Sequence, residues 1–119
     1  MKILVIDDDA AVRKFIGTTL KRANHTVLEA ENGAEGLRVL LEERDIPVVI
    51  TDLIMPEKEG VETIIEVKQL YPSIKILAIS GGGKAGPENY LVLADALGAN
   101  TTLKKPFSGQ DLMRAVESL

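Results

Sequence analysis

The sequence predicts an α/β fold, a five-stranded parallel sheet doubly wound by helices on both faces. Short, β-branched apolar runs alternate five times with segments of helical period, with no linker, repeat or low-complexity tract between them. The runs are mostly apolar throughout rather than alternating, as expected of strands buried on both faces. Four of them also end in polar residues. Ile3–Ile6 runs into Asp7 and Asp8, Val48–Thr51 into Asp52, Lys75–Ile79 into Ser80, and Thr101–Lys104 into Lys105 and Pro106.

The elements follow in order. After the first strand, Asp9 is placed to cap a helix with Val12, Phe15, Ile16, Thr19 and Leu20 at helical spacing. Thr26–Glu29 reads as a short second strand, and Asn32-Gly33 turns the chain into a helix with Leu37, Leu40 and Leu41 on one face. Pro47 opens the third strand. Beyond Asp52 a loop leads to a helix carrying Val61, Ile64, Ile65 and Val67, closed by Tyr71-Pro72. The fourth strand ends at Ser80 and enters the irregular stretch 81–87, where Pro87 starts a helix with Tyr90, Leu93, Ala94 and Leu97. Gly98 stops that helix. The fifth strand is less apolar and is expected at an edge. Ser108 with Asp111 resembles a capping box for a last helix with Leu112, Ala115, Val116 and Leu119 inward.

Composition narrows the function classes. A chain of 119 residues has the usual size of one domain, and residues 1–119 are read as a single domain. Apolar residues at 45% argue against disorder, and aromatics at 3% leave an aliphatic core. The apolar runs are far too short to span a membrane. With no cysteine there is no disulfide framework or thiolate metal site, and the expectation is a cytoplasmic protein. A net charge of −4 and a pI near 5.0 argue against direct nucleic-acid binding.

Parallel strands bring their C-terminal ends to one edge, so Asp7, Asp8, Asp52, Ser80 and Lys105 are expected on one rim. Crowded carboxylates repel unless a cation neutralises them, and an all-oxygen donor set suits Mg²⁺, which also binds phosphate oxygens. Lys105 is placed to meet a phosphoryl oxygen as a point charge, and Ser80 to bond one through its hydroxyl. Lys104 alternates to the opposite side of the strand. Asp9 keeps its capping role, and His25, at a helix-to-strand turn, is read as a surface residue away from the rim. The glycines of 81–87 lack the spacing of a nucleotide-binding loop.

The order Asp7-Asp8, Asp52-Leu53-Ile54-Met55-Pro56, Ser80-Gly81, Lys105-Pro106-Phe107 resembles the receiver domain of bacterial two-component response regulators, across essentially the whole chain. The resemblance implies a flavodoxin-like (βα)5 fold with strand order 2-1-3-4-5. It implies that Asp52 accepts a phosphoryl group from a histidine kinase or histidine phosphotransfer protein. Asp8 would ligate Mg²⁺ (or Mn²⁺) directly, Asp7 largely through water, with Asp52 and the backbone carbonyl of Ile54 completing the protein ligands. Ser80 and Lys105 would bind the phosphoryl oxygens and relay the switch to a downstream protein or a missing output domain. Met55-Pro56 and Gly60 match the loop after the acceptor. Such a domain catalyses only its own phosphorylation and dephosphorylation, and relatives often dimerise through the fourth helix, fifth strand and fifth helix.

The sequence departs from that pattern at Thr102, where the family commonly carries an aromatic switch residue. A small β-branched side chain cannot swing a ring, so the loop from Ser80 to Pro87 and its following helix are expected to carry more of the signal. Ile54 and Gly82 match positions that in the family influence how fast the acyl phosphate hydrolyses. Neither side chain can orient a water, so a comparatively long-lived acyl phosphate is expected. Gly81 lacks a side chain, which leaves the acceptor open to a phosphodonor. Two other functions fit parts of this pattern. An Mg²⁺-dependent phosphatase would often want an acid at position 54, where Ile stands. A phosphate-independent docking module is disfavoured by the full set of acids, hydroxyl and lysine.

Overall fold

A computed structural model of the chain describes residues 1–53, 60–81, 92 and 94–119. The expectations placed on Ile54, Met55, Pro56, Gly82, Pro87, Tyr90 and Leu93 lie outside the described residues. The apolar runs form β1 (Lys2–Ile6), β2 (Thr26–Ala30), β3 (Val48–Asp52), β4 (Lys75–Ser80) and β5 (Thr101–Lys104). Between them stand α1 (Ala10–Arg22), α2 (Gly33–Glu42) and α3 (Gly60–Leu70), and a C-terminal helix spans Gly109–Glu117. Val92, Ala94, Asp95 and Ala96 are helical, where the helix after the fourth strand is expected. The strands are all parallel and lie in the order β2-β1-β3-β4-β5, the flavodoxin-like arrangement.

Strand alternation divides the core into two layers. Ile3, Val5, Ile50, Leu77 and Ile79 face α1 and the C-terminal helix, packing on Ile16, Leu20, Leu112 and Val116. Leu4, Ile6, Val49, Ile76 and Ala78 face the other way, onto Leu40 of α2, Ile64 and Val67 of α3, and Ala94. Each fully buried Ile, Leu or Val among them contributes about 1.5–3 kcal/mol, so the sheet is held from both faces. β5 is only partly buried and lies at an edge, as its composition predicts.

Helix starts follow the capping chemistry. Asp9 accepts from the Ala11 and Val12 amides at 2.9 and 3.3 Å, and Asn32 accepts from the Glu35 amide at 2.8 Å. Ser108 and Asp111 form the reciprocal capping box, each side chain accepting the other's backbone N–H. Gly98 has φ 107°, the left-handed region that glycine occupies without strain.

Three side chains expected inward turn outward. Leu41 is 77% exposed, Phe15 44% and Ile65 37%. In α2 the buried stripe is Gly33, Gly36 and Leu40, narrow because the helix lies close on the sheet. Phe15 instead meets Phe107 at 6.1 Å between ring centroids.

Candidate functional site

The C-terminal ends of β1, β3, β4 and β5 supply the rim. Ile6 pairs with Thr51, so Asp7 and Asp52 leave adjacent strands side by side. Asp7 is 1% exposed, Asp52 6% and Ser80 0%, whereas Asp8 is exposed. One carboxylate oxygen from each of Asp7, Asp8 and Asp52 lies within 4.8 Å of the others. The Asp7 amide donates to the Ala30 carbonyl at 3.1 Å, and its Oδ1 accepts from the Asp9 amide at 2.8 Å. Its other oxygen, Oδ2, is buried without a hydrogen-bond partner, as is the Ser80 hydroxyl.

Lys105 enters from the end of β5, and Lys104 beside it points to solvent, as alternation requires. The Lys105 ammonium donates to Asp52 Oδ2 at 2.7 Å and lies 3.8 Å from Asp7 Oδ2. The Lys105 amide donates to the Ser80 carbonyl at 2.8 Å, which ties the two strand ends together. The Lys105–Pro106 peptide is cis.

Burial is the main cause that lifts the Asp7 carboxyl from 3.8 to about 6. The Asp9 amide opposes that rise, Asp52 and Asp8 add to it by repulsion, and Lys105 counters them. Burial also disfavours the Lys105 ammonium, yet its hydrogen bond to Asp52 and the charges of Asp52, Asp7 and Asp9 raise it overall. The cluster is thus short of positive charge, has an oxygen with no donor, and offers only oxygen ligands. Those properties fit a small hard cation such as Mg²⁺.

The expected rim residues Asp7, Asp8, Asp52, Ser80 and Lys105 therefore stand at one edge, and the Ile54 carbonyl lies outside the described residues. Two further residues shape the site. Gly60 opens α3 directly against β3, where a Cβ would overlap the Asp52 carbonyl and come within 2.6 Å of Leu53 Cα. Arg13 Nη1 donates to the Asp7 carbonyl at 2.7 Å. Sequence reading gave Gly60 only by resemblance and Arg13 not at all. A basic residue so near the start of α1, against the helix dipole, was the available signal. His25 is half-buried beside the N-terminal amine at 3.2 Å, away from the rim.

A doubly wound parallel sheet that carries an acidic cluster and a lysine at its strand ends defines a flavodoxin-like domain with its site at the C-terminal edge of the sheet. The chain belongs to the response regulator receiver domain family, whose model matches residues 3–117. It is 37% identical over 123 residues to the chemotaxis protein CheY homolog of Campylobacter jejuni, covering 100% of this chain and 92% of that protein. The match to chemotaxis protein CheY1 of Helicobacter pylori is also 37%, over 121 residues, covering 98% of this chain and 94% of the other. Among solved structures, a receiver domain protein from Clostridium thermocellum superposes with a TM-score of 0.88 at 36% identity, covering 98% of this chain and 90% of its own. The family serves two-component signalling, and its members bind Mg²⁺ at an acidic pocket and engage histidine kinases or phosphotransfer proteins. Among the described residues no helix is long and apolar enough to cross a membrane.

Proposed function

We propose that Asp52 accepts a phosphoryl group from the phosphohistidine of a histidine kinase or phosphotransfer protein, in an Mg²⁺-dependent reaction, and that the phosphorylated domain switches partner binding. The observation that carries this reading is the Lys105 ammonium held 2.7 Å from a buried Asp52 carboxylate. A carboxylate in that setting is a nucleophile with a counter-charge already beside it.

An Asp52 oxygen attacks phosphorus, and the new O–P bond forms as the P–N bond breaks. The bonding pair leaves with the donor's imidazole. Lys105 follows the charge from the carboxylate to a phosphoryl oxygen. Asp7, Asp8, Asp52 and the Ile54 carbonyl would hold Mg²⁺, which would supply positive charge to the phosphoryl oxygens. The Ser80 hydroxyl, buried and without a partner, gains an acceptor. Phosphorylation adds about −1.5 to −2 charges, which draws Ser80 and Lys105 inward and with them the segments that follow each.

The domain on this reading spans residues 1–119, works in the cytoplasm and catalyses only its own phosphorylation and dephosphorylation. Its output is a changed surface, offered to a downstream protein, an output domain or a second copy of the chain. Intact mass after incubation with Mg²⁺ and a small phosphodonor tests it. One phosphoryl group on the wild type, absent from Asp52→Asn and absent without Mg²⁺, is expected. A folded wild type that never gains the group overturns the reading in favour of phosphate-independent docking.

A further inference from the structure

Asp8 is exposed, and among the described residues its side chain forms no hydrogen bond or ion pair, yet its carboxylate lies in the three-acid cluster. The backbone sets where that carboxylate leaves the strand. The carbonyl of Asp7 and the amide of Asp8 share one rigid peptide plane, so whatever fixes that carbonyl sets the direction in which Asp8 leaves the strand. The Asp7 amide still pairs with the Ala30 carbonyl of β2, continuing the ladder one residue past β1. The Asp7 carbonyl is met by Arg13, whose Nη1 donates at 2.7 Å. The Arg13 Nε in turn donates to Glu29 Oε1 on β2 at 3.1 Å. One planar guanidinium thus reads a main-chain oxygen at the site and a carboxylate on the neighbouring strand, a fork geometry that lysine cannot copy.

The cost of this arrangement points to a purpose. Arg13 places a positive charge near the N-terminus of α1, where the helix dipole favours a negative one, and the first turn of α1 carries no acid. Tying α1 to the sheet does not need it, because Ile16 and Leu20 are already buried there.

We propose that Arg13, anchored by Glu29, is a positioning residue for the acidic pair. It orients the Asp7–Asp8 peptide so that both carboxylates face a divalent cation together. The inference rests on the Mg²⁺-binding part of the proposed function.

Calorimetric titration of Mg²⁺ into wild type, Arg13→Met, Arg13→Lys, Glu29→Gln and the Arg13→Met/Glu29→Gln double variant tests it. Arg13→Met is expected to weaken Mg²⁺ binding by about tenfold, the size usual for a residue that orients a metal ligand. Arg13→Lys restores part of the loss, and Glu29→Gln loses less than Arg13→Met. The double variant binds no worse than Arg13→Met, because Glu29 acts through Arg13. In metal-free protein, the Asp8 and Asp9 amides of Arg13→Met exchange with solvent faster than those of the wild type. At saturating Mg²⁺ the variant's phosphoryl uptake returns to the wild-type rate, since the lesion is in metal affinity. A wild type that binds no Mg²⁺ removes the underlying reading. A wild type that binds Mg²⁺, alongside folded Arg13 variants of equal affinity, leaves Arg13 a mere tie between α1 and the sheet. If Arg13→Met does not fold, Arg13→Lys and Glu29→Gln decide alone, and unchanged affinity in both overturns the proposal.

Discussion

Lys105 reaches Asp52 across an intervening strand. The two residues are 53 positions apart and stand at the ends of β5 and β3, with β4 between them. Two strand spacings come to about 10 Å, a span that needs a long side chain laid over the end of β4. Gly81, just past that end, lies against the Lys105 stem, and a Cβ there would overlap Lys105 Cβ and approach its Cγ and Cδ at 2.6 Å each. The ammonium therefore depends on a residue that has no side chain.

Removing the charge while keeping the stem isolates the pair. Lys105→Met leaves Asp52 buried without its ammonium, and the metal-free protein is expected to lose about 1.5–3 kcal/mol, the range for a hydrogen bond to a charged group. Urea denaturation in the presence of a chelator reads this directly. An unchanged midpoint means that desolvation of the pair cancels its attraction.

Gly81 can be tested by filling the space beneath the lysine. Gly81→Ala is expected to slow phosphoryl uptake by Asp52, and Gly81→Val to slow it by about one to two orders of magnitude, because the lysine is pushed off the carboxylate. Timed intact-mass measurement follows the uptake, with circular dichroism to confirm the fold. Uptake by Gly81→Val at the wild-type rate would show that Lys105 passes the strand end by another route. The glycine then serves donor access alone.

The strand ends were legible because each apolar run is short and stops at a polar residue, and a parallel sheet puts all those stops on one edge. Asp7, Asp52, Ser80 and Lys105 follow from that rule alone. Strand order does not, since hydrophobic pattern says nothing of which strands are neighbours, and it came from resemblance. Helical period placed Leu41 and Phe15 inward, but it counts only apolar side chains. In α2 the close contact is made by Gly36, where a Cβ would press on the Ile6 side chain, with Cγ1 at 2.9 Å. Arg13 and Gly60 escaped for a related reason. Both answer main-chain carbonyls, at Asp7 and Asp52, and a carbonyl carries no letter in the sequence.

Asp7 makes the metal-free protein pH-sensitive. Its folded value of about 6 exceeds the ordinary 3.8, so between those values the folded state keeps a proton that the unfolded chain has released. Stability contributed by this group therefore falls as pH rises through that window and levels off above it. Asp7→Asn removes the titration and the repulsion from Asp52 and Asp8. The variant is expected to exceed the wild type in stability at pH 7.5 without metal, with the difference shrinking toward pH 4. Urea midpoints of both proteins across that range, with chelator present, check it. Parallel curves would mean that Asp7 ionises in the fold without penalty.

Leu40 and Leu41 are chemically identical neighbours on α2, and sequence period assigned both to the core. Leu40 is 6% exposed and packs with Leu4, Ile6 and Ile46, whereas Leu41 is 77% exposed. Truncating Leu40 to alanine removes buried methylenes and leaves a cavity, at a cost of about 2–4 kcal/mol. Leu41→Ala removes atoms already in water, and alanine is the better helix former, so its effect stays within about 0.5 kcal/mol. Chemical denaturation of the two single variants separates the cases in one experiment. Equal losses would show that Leu41 is covered in solution. A small loss at Leu40 would show that the α2 layer collapses around the gap, with Gly33 and Gly36 letting the helix settle onto Ile6.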